Sequence, residues 1–256
     1  MTDRDSDPRA DAGGVDAGDA PPVPAAVAAG AALFNEGHVL AAHDPWEAAW
    51  LPLDEGDDER LLHGLIAASA ATHHATEGNW SGATGCASNA VRYLGGLDEG
   101  EDHDADKGED RDADEGGVRG ADESEDRGAA DPARGVDVAA VREWCRRLAG
   151  DPETVERAEP PAIRVEGATP EFADLDLAAA LLAAPALAEA VDHGDEATFE
   201  TAAALAREER GTGRTRFAEL LFAFLCEPDA RPQVAARLAD HVDLAERKRR
   251  DVDDLF

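Results

Sequence analysis

Apolar positions in this chain recur at helical spacing and show no convincing two-residue alternation, so the pattern predicts an all-α fold. An alanine-rich run from Ala25 to Phe34 is helix-prone, and Asn35-Glu36-Gly37 reads as the break that follows it. A helix resumes near His38 and ends around Trp50, with Val39, Leu40, His43, Trp46, Glu47 and Trp50 on one face. His43 and Glu47 therefore sit on an apolar stripe. Leu51 to Asp58, rich in acids with a proline and a glycine, predicts a loop. The next helix, Glu59 to Glu77, carries Leu62, Ile66, Ser69 and His73 on one face and His63, Ala67, Ala70, His74 and Glu77 on the neighbouring one. Gly78 suits the left-handed position past a helix end, and Asn79 or Ser81 can cap a helix running to Leu97. Further helical patterns cover Val138 to Ala149, Leu175 to Ala183, Pro185 to Val191, Glu196 to Arg210, Arg214 to Cys226 and Pro232 to Arg250. Pro185 and Pro232 fit first-turn positions.

The periodicity fails in three places, and these set the domain organisation. Residues 1–24 are Asp, Gly, Ala and Pro without apolar spacing and read as a disordered acidic tail. Residues 98–134 hold sixteen acidic and five basic residues, net −11, and read as a disordered, self-repelling insert. Glu159-Pro160-Pro161 through Pro170 reads as an extended linker. The expectation is a helical bundle over 25–166, interrupted by that insert, followed by a smaller C-terminal helical module over 171–256.

Charge changes the picture next. The 256 residues include 24 basic and 57 acidic ones, a formal net charge of −33, and Lys107 and Lys248 are the only lysines. Such a surface suits a halophilic protein working in concentrated salt, where the Debye length falls to about 3 Å at 1 M. It argues against nucleic acid, which is held chiefly by clustered Lys and Arg. Cys86, Cys145 and Cys226 are odd in number and form no Cys-x-x-Cys pair, which fits thiols buried as small hydrophobes in a reducing cytoplasm. No run of 18 or more apolar residues exists, so no membrane span is expected. Helical faces leave room for homo- or hetero-oligomers.

Candidate chemistry is concentrated in residues 33–82, which hold five of the eight histidines and three of the four tryptophans. His43 and Glu47 are one helical turn apart, about 5–6 Å between Cβ atoms, close enough to share a divalent metal. An antiparallel hairpin across the 51–58 loop puts His63 level with the turn from Asp44 to Glu47, and His74 level with Phe34 and Asn35. The candidate metal ligands are therefore His43, Glu47 and His63, with Asp44 a weaker fourth. His74, Asn79 and Asn35 form a second polar site, with His38 near it. His63 and His74, roughly 16 Å apart along one helix, cannot share an ion. A structural reading stands beside this: Asp44-Pro45-Trp46-Glu47 is a helix-start signature, with Asp44 as cap, Pro45 in the first turn and Glu47 three residues on. Trp46, Trp50 and Trp80 read as core, and Glu246-Arg247-Lys248-Arg249-Arg250 as a helix C-terminal turn.

Four blocks occur in order: Leu33-Phe34-Asn35-Glu36-Gly37, Ala42-His43-Asp44-Pro45-Trp46-Glu47 with Trp50, Leu62-His63-Gly64-Leu65-Ile66, and His74 with Gly78-Asn79 and Gly82-Ala83. Together they resemble the family called domain of unknown function 309, over roughly Ala25 to Val165. The family's pattern carries glutamate at Asp44 and glutamine at His63. The resemblance implies a small all-helical bundle and no established activity. The leading functional expectation is thus a helical interaction module with a structural polar core. A metal-dependent hydrolase using the His/Glu cluster is the alternative, and weak nucleic-acid binding through the Arg-rich C-terminus the third.

Overall fold

The structure, a computed structural model, describes residues 20–97 and 131–253, so the expected tail up to residue 19 and the insert over 98–130 lie outside the described residues. Nine α-helices make up the described fold: α1 Val23–Asn35, α2 His43–Trp50, α3 Asp57–Thr76, α4 Trp80–Gly95, α5 Val138–Gly150, α6 Leu177–Ala190, α7 Glu196–Glu209, α8 Arg216–Cys226 and α9 Arg231–Asp253. Among the described residues there is no strand, only isolated bridges from Val165 to Val136 and Ala168. The all-α reading is correct.

Helices α1 and α6 explain how two sets of helices share one interior. Both are built mostly of alanine and leucine, and nine of the 13 residues of α1 and nine of the 14 of α6 are buried. A helix apolar all round must be surrounded, and small side chains allow close approach. The two pack on each other, with α2 and α3 around α1 and with α7 and α8 around α6. Buried residues from Ala25 to Val242 consequently form a single cluster. On the first side, α3 and α4 approach through Gly64, where an added Cβ would stand 2.5 Å from Leu94 Cδ2. Helix α5 is tied in by polar atoms: Trp144 Nε1 donates to Thr72 Oγ1 at 3.0 Å, and the Thr72 hydroxyl donates in turn to the Ala68 carbonyl at 2.9 Å.

Several boundaries differ from expectation. The first helix begins at Val23, inside the expected tail, because Pro22 supplies its extended entry residue. The insert's last residues form a turn, held by Arg134, which donates twice to the Asp58 carboxylate at 2.7 Å. The helix expected from His38 starts at His43, after the turn of residues 38–42. Pro185 lies inside α6 instead of opening a helix, and it is buried there. Trp80 is exposed, not core, because it begins α4 at a surface corner. Of the three cysteines only Cys145 is fully buried, and burial pushes its thiol up to about 12; Cys86 is half-buried and Cys226 exposed.

Candidate functional site

The centre of the site is the corner between α1 and α2. Helix α1 stops at Glu36 because Gly37 takes the left-handed conformation (φ +88°), letting His38 N–H reach back to the Leu33 carbonyl at 2.9 Å. The chain then turns through Val39–Ala42, whose amides bond locally: Ala42 to the His38 carbonyl and His43 to the Leu40 carbonyl. That turn already occupies the backbone donors at the start of α2. Asp44 therefore makes no capping hydrogen bond, contrary to the helix-start reading, and Ala42 stands at the cap position. Its carboxylate is free to line a groove.

The groove encloses about 700 Å³ between the α1–α2 corner, α3 and α6. His38, His43, His73 and His74 line it with Asp44 and Glu189, while Val39, Leu40, Ala41, Ala70, Ala186 and Ala190 form its aliphatic walls. None of its lining residues is Lys or Arg. Burial, then the negative charges of Glu189, Glu196 and Glu47, raises the Asp44 carboxyl from its ordinary value of 3.8 to about 7. Its contribution to folding stability is present below the ordinary carboxylate range and is lost as pH rises towards 7, because the folded chain binds that proton more tightly than the unfolded one. Burial lowers the pKa of His43, only partly opposed by Glu47, and burial with Arg231 lowers that of His38. Both rings are neutral at pH 7.

The expected metal set is not assembled. His43 Nδ1 lies 3.7 Å from Glu47 Oε2, a polar contact too long for a hydrogen bond. His63 belongs to a different neighbourhood: its Nδ1 is 3.3 Å from Glu59 Oε1, which also accepts the Trp50 indole N–H at 2.9 Å. Its ring stacks on Tyr93 with centroids 3.8 Å apart. The hairpin register brings His63 level with Trp50, near the end of α2, and not with the turn from Asp44 to Glu47. Among the described residues, no group of three or more His, Cys, Asp or Glu could hold a metal ion.

The second expected site divides too. Asn35 is committed to the linker: Nδ2 donates to the Ile163 and Pro170 carbonyls, both at 3.0 Å, and Oδ1 accepts Ile163 N–H at 2.8 Å. His74 and Asn79 do meet, at 3.3 Å, while Asn79 Oδ1 caps α4 by accepting Gly82 N–H at 3.1 Å. That cap points the Asn79 amide donor at His74 Nδ1, so the ring carries its proton on Nε2. Gly78 takes the left-handed conformation past α3, as the pattern implies. Gly82 is required by close approach, since a Cβ there would lie 2.8 Å from the His74 ring.

The polar blocks that build one wall of this groove lie in a segment that matches a known family. Residues 27–86 match DUF309, a domain of unknown function. The DUF309 match spans most of α1 through the first turns of α4, so it contains Asp44 and all four groove histidines but not α6. No curated protein and no solved structure matches the chain. Sequence reasoning missed the groove because its outer wall, Ala186, Glu189 and Ala190, lies far along the chain in α6. One signal was available: Ala70, His73 and His74 stand three and four residues apart, on one side of α3.

Proposed function

We propose that this protein is a cytoplasmic, salt-adapted binding module that holds a small organic cation, an alkyl amine, in the groove between the DUF309 segment and α6. The observation that carries the reading is a groove of about 700 Å³ with two carboxylates, aliphatic walls and neither Lys nor Arg in its lining. Its volume is that of an ordinary ligand pocket. An anion would face Asp44 and Glu189; an ammonium would relieve their mutual repulsion, and its carbon stem would cover Val39, Leu40 and Ala186. The His38 and His43 rings, whose charged forms burial disfavours, supply hydrogen-bond partners without opposing charge. The acidic composition and three unbridged cysteines support the salt-adapted and cytoplasmic parts of the reading. Metal-dependent hydrolysis draws no support from the donor geometry, because His63 and the pair of His43 with Glu47 serve different contacts.

Binding an ammonium favours the ionised form of Asp44, so affinity rises as pH passes upward through about 7. In thermal melts at constant molar KCl, 1,4-diaminobutane at tenfold its Kd is expected to raise Tm by about 3–6 °C at pH 8 and by less at pH 6. Asp44→Asn is expected to remove most of that shift. An equal shift in Asp44→Asn, or none in the native chain, would sink the proposal.

A further inference from the structure

The C-terminal helices carry a second cavity of opposite character. Between the α7–α8 turn and α9 lies a cleft of about 750 Å³, continuous in lining with a smaller one of about 290 Å³; both include Arg214, Arg216, His241 and Lys248. Arg237 lines the larger part. In a chain of 57 acids and 24 bases, a space lined by four Arg or Lys side chains and two carboxylates is a local reversal of charge. Among the described residues, Arg214, Arg216, Arg237 and Lys248 nevertheless have no carboxylate within salt-bridge distance. Arg249 beside them is different, being paired with Glu208.

The two carboxylates of the larger part, Glu209 and Glu219, are engaged in holding its shape. Glu219 Oε1 accepts the Thr215 hydroxyl at 2.5 Å, and Glu209 Oε2 accepts Phe217 N–H at 3.4 Å. Gly211 and Gly213 are both left-handed (φ +79° and +77°), which tightens the turn that presents Arg214 and Arg216. On the facing side Arg237, His241 and Lys248 are four and seven residues apart and so form one stripe along α9, roughly 16 Å long. Cations thus converge from two elements on a space of small-molecule size.

We propose that this cleft binds a small, multiply charged phosphate-bearing molecule. Arg forks match phosphate oxygens in pairs, which short-range contact preserves when salt has screened everything beyond about 3 Å. A nucleic-acid strand fits less well, because a stripe this short is flanked by a chain of net charge −33, over which further phosphates would be repelled. The site is independent of the amine groove and shares no lining residue with it.

The test is calorimetric titration of the full chain with pyrophosphate and with ADP at about 2 M KCl, matched in ionic strength. Saturable one-site binding is expected. Arg214→Gln with Arg237→Gln should weaken it at least about tenfold, and Lys248→Gln alone should weaken it less. These side chains are exposed, so Tm should stay unchanged and a folding defect is recognisable if it does not; in that event Lys248→Gln alone decides the matter. No saturable binding of either probe, or equal affinity in the variants, overturns the proposal. Tighter binding of a single-stranded RNA of about ten nucleotides than of ADP overturns it in favour of a strand.

Discussion

Trp46→Ala is expected to cost about 3–5 kcal/mol of unfolding free energy. Trp46 is fully buried, and its indole lies directly against the backbone of α1 at Gly30, where an added Cβ would stand 2.3 Å from Cε2 and Nε1. The ring therefore fixes how α2, which carries His43 and Asp44, sits on α1. Truncation leaves a cavity that the surrounding alanines cannot fill. Gly30→Ala approaches the same contact from the other side: the ring cannot move within a packed core, so overpacking should cost about 1–3 kcal/mol. The two changes are coupled. In chemical denaturation at fixed salt, Gly30→Ala should cost much less in the Trp46→Ala background than alone, since the smaller side chain makes room for the new methyl. Additive losses would show that the indole does not rest on Gly30.

Asn35→Ala should cost about 2–4 kcal/mol, because it orphans two carbonyls and one amide at once. Those groups belong to Ile163 and Pro170, so the loss loosens the connection leading from α5 to α6 and, through it, the outer wall of the groove. Asn35→Asp should be at least as harmful at pH 7, since a carboxylate would face the carbonyls that Nδ2 now serves. Protonation returns one donor, so part of that loss should be recovered in melts near pH 4. Equal stability of Asn35→Ala and the native chain would show that the linker is held by Ile163 burial alone.

Much of the fold was readable in sequence because its signals are local. The break at Gly37, the left-handed Gly78 and the cap at Asn79 each depend on a residue and its near neighbours, and each is where the pattern puts it. Pro185 was misread for the same reason: proline opens most helices that contain it, but here a continuous Ala and Leu surface buried against α1 outweighs one missing amide. His63 was misplaced by the hairpin register, which aligned it with the turn from Asp44 to Glu47. Its partners are instead Glu59 one turn earlier on its own helix, Trp50, and Tyr93 on α4. Asp44 was the hardest to read. Its role depends on amides satisfied by the preceding turn, which displaces the helix-start reading, and on Glu189 from α6, which leaves no trace near residue 44.

The basic stripe on α9 was partly visible as Glu246-Arg247-Lys248-Arg249-Arg250, of which Lys248 lines both parts of the cleft and Arg249 the smaller part only. Arg214, Arg216 and Arg237 join it only through the packing of α7, α8 and α9. Net charge summed along a chain hides such a local reversal, and spatial grouping restores it.

In the proposed amine site, Asp44 keeps its proton up to a pH of about 7 in the free chain and gives it up to anchor a cation in the groove. The most direct test follows the Asp44 side-chain carboxyl carbon by NMR across pH 4–9, assigned with Asp44→Asn, with and without saturating 1,4-diaminobutane. A midpoint of about 7 is expected in the free protein, falling by about a unit or more with the diamine. A midpoint close to that of an ordinary aspartate, unmoved by the diamine, would contradict this role for Asp44.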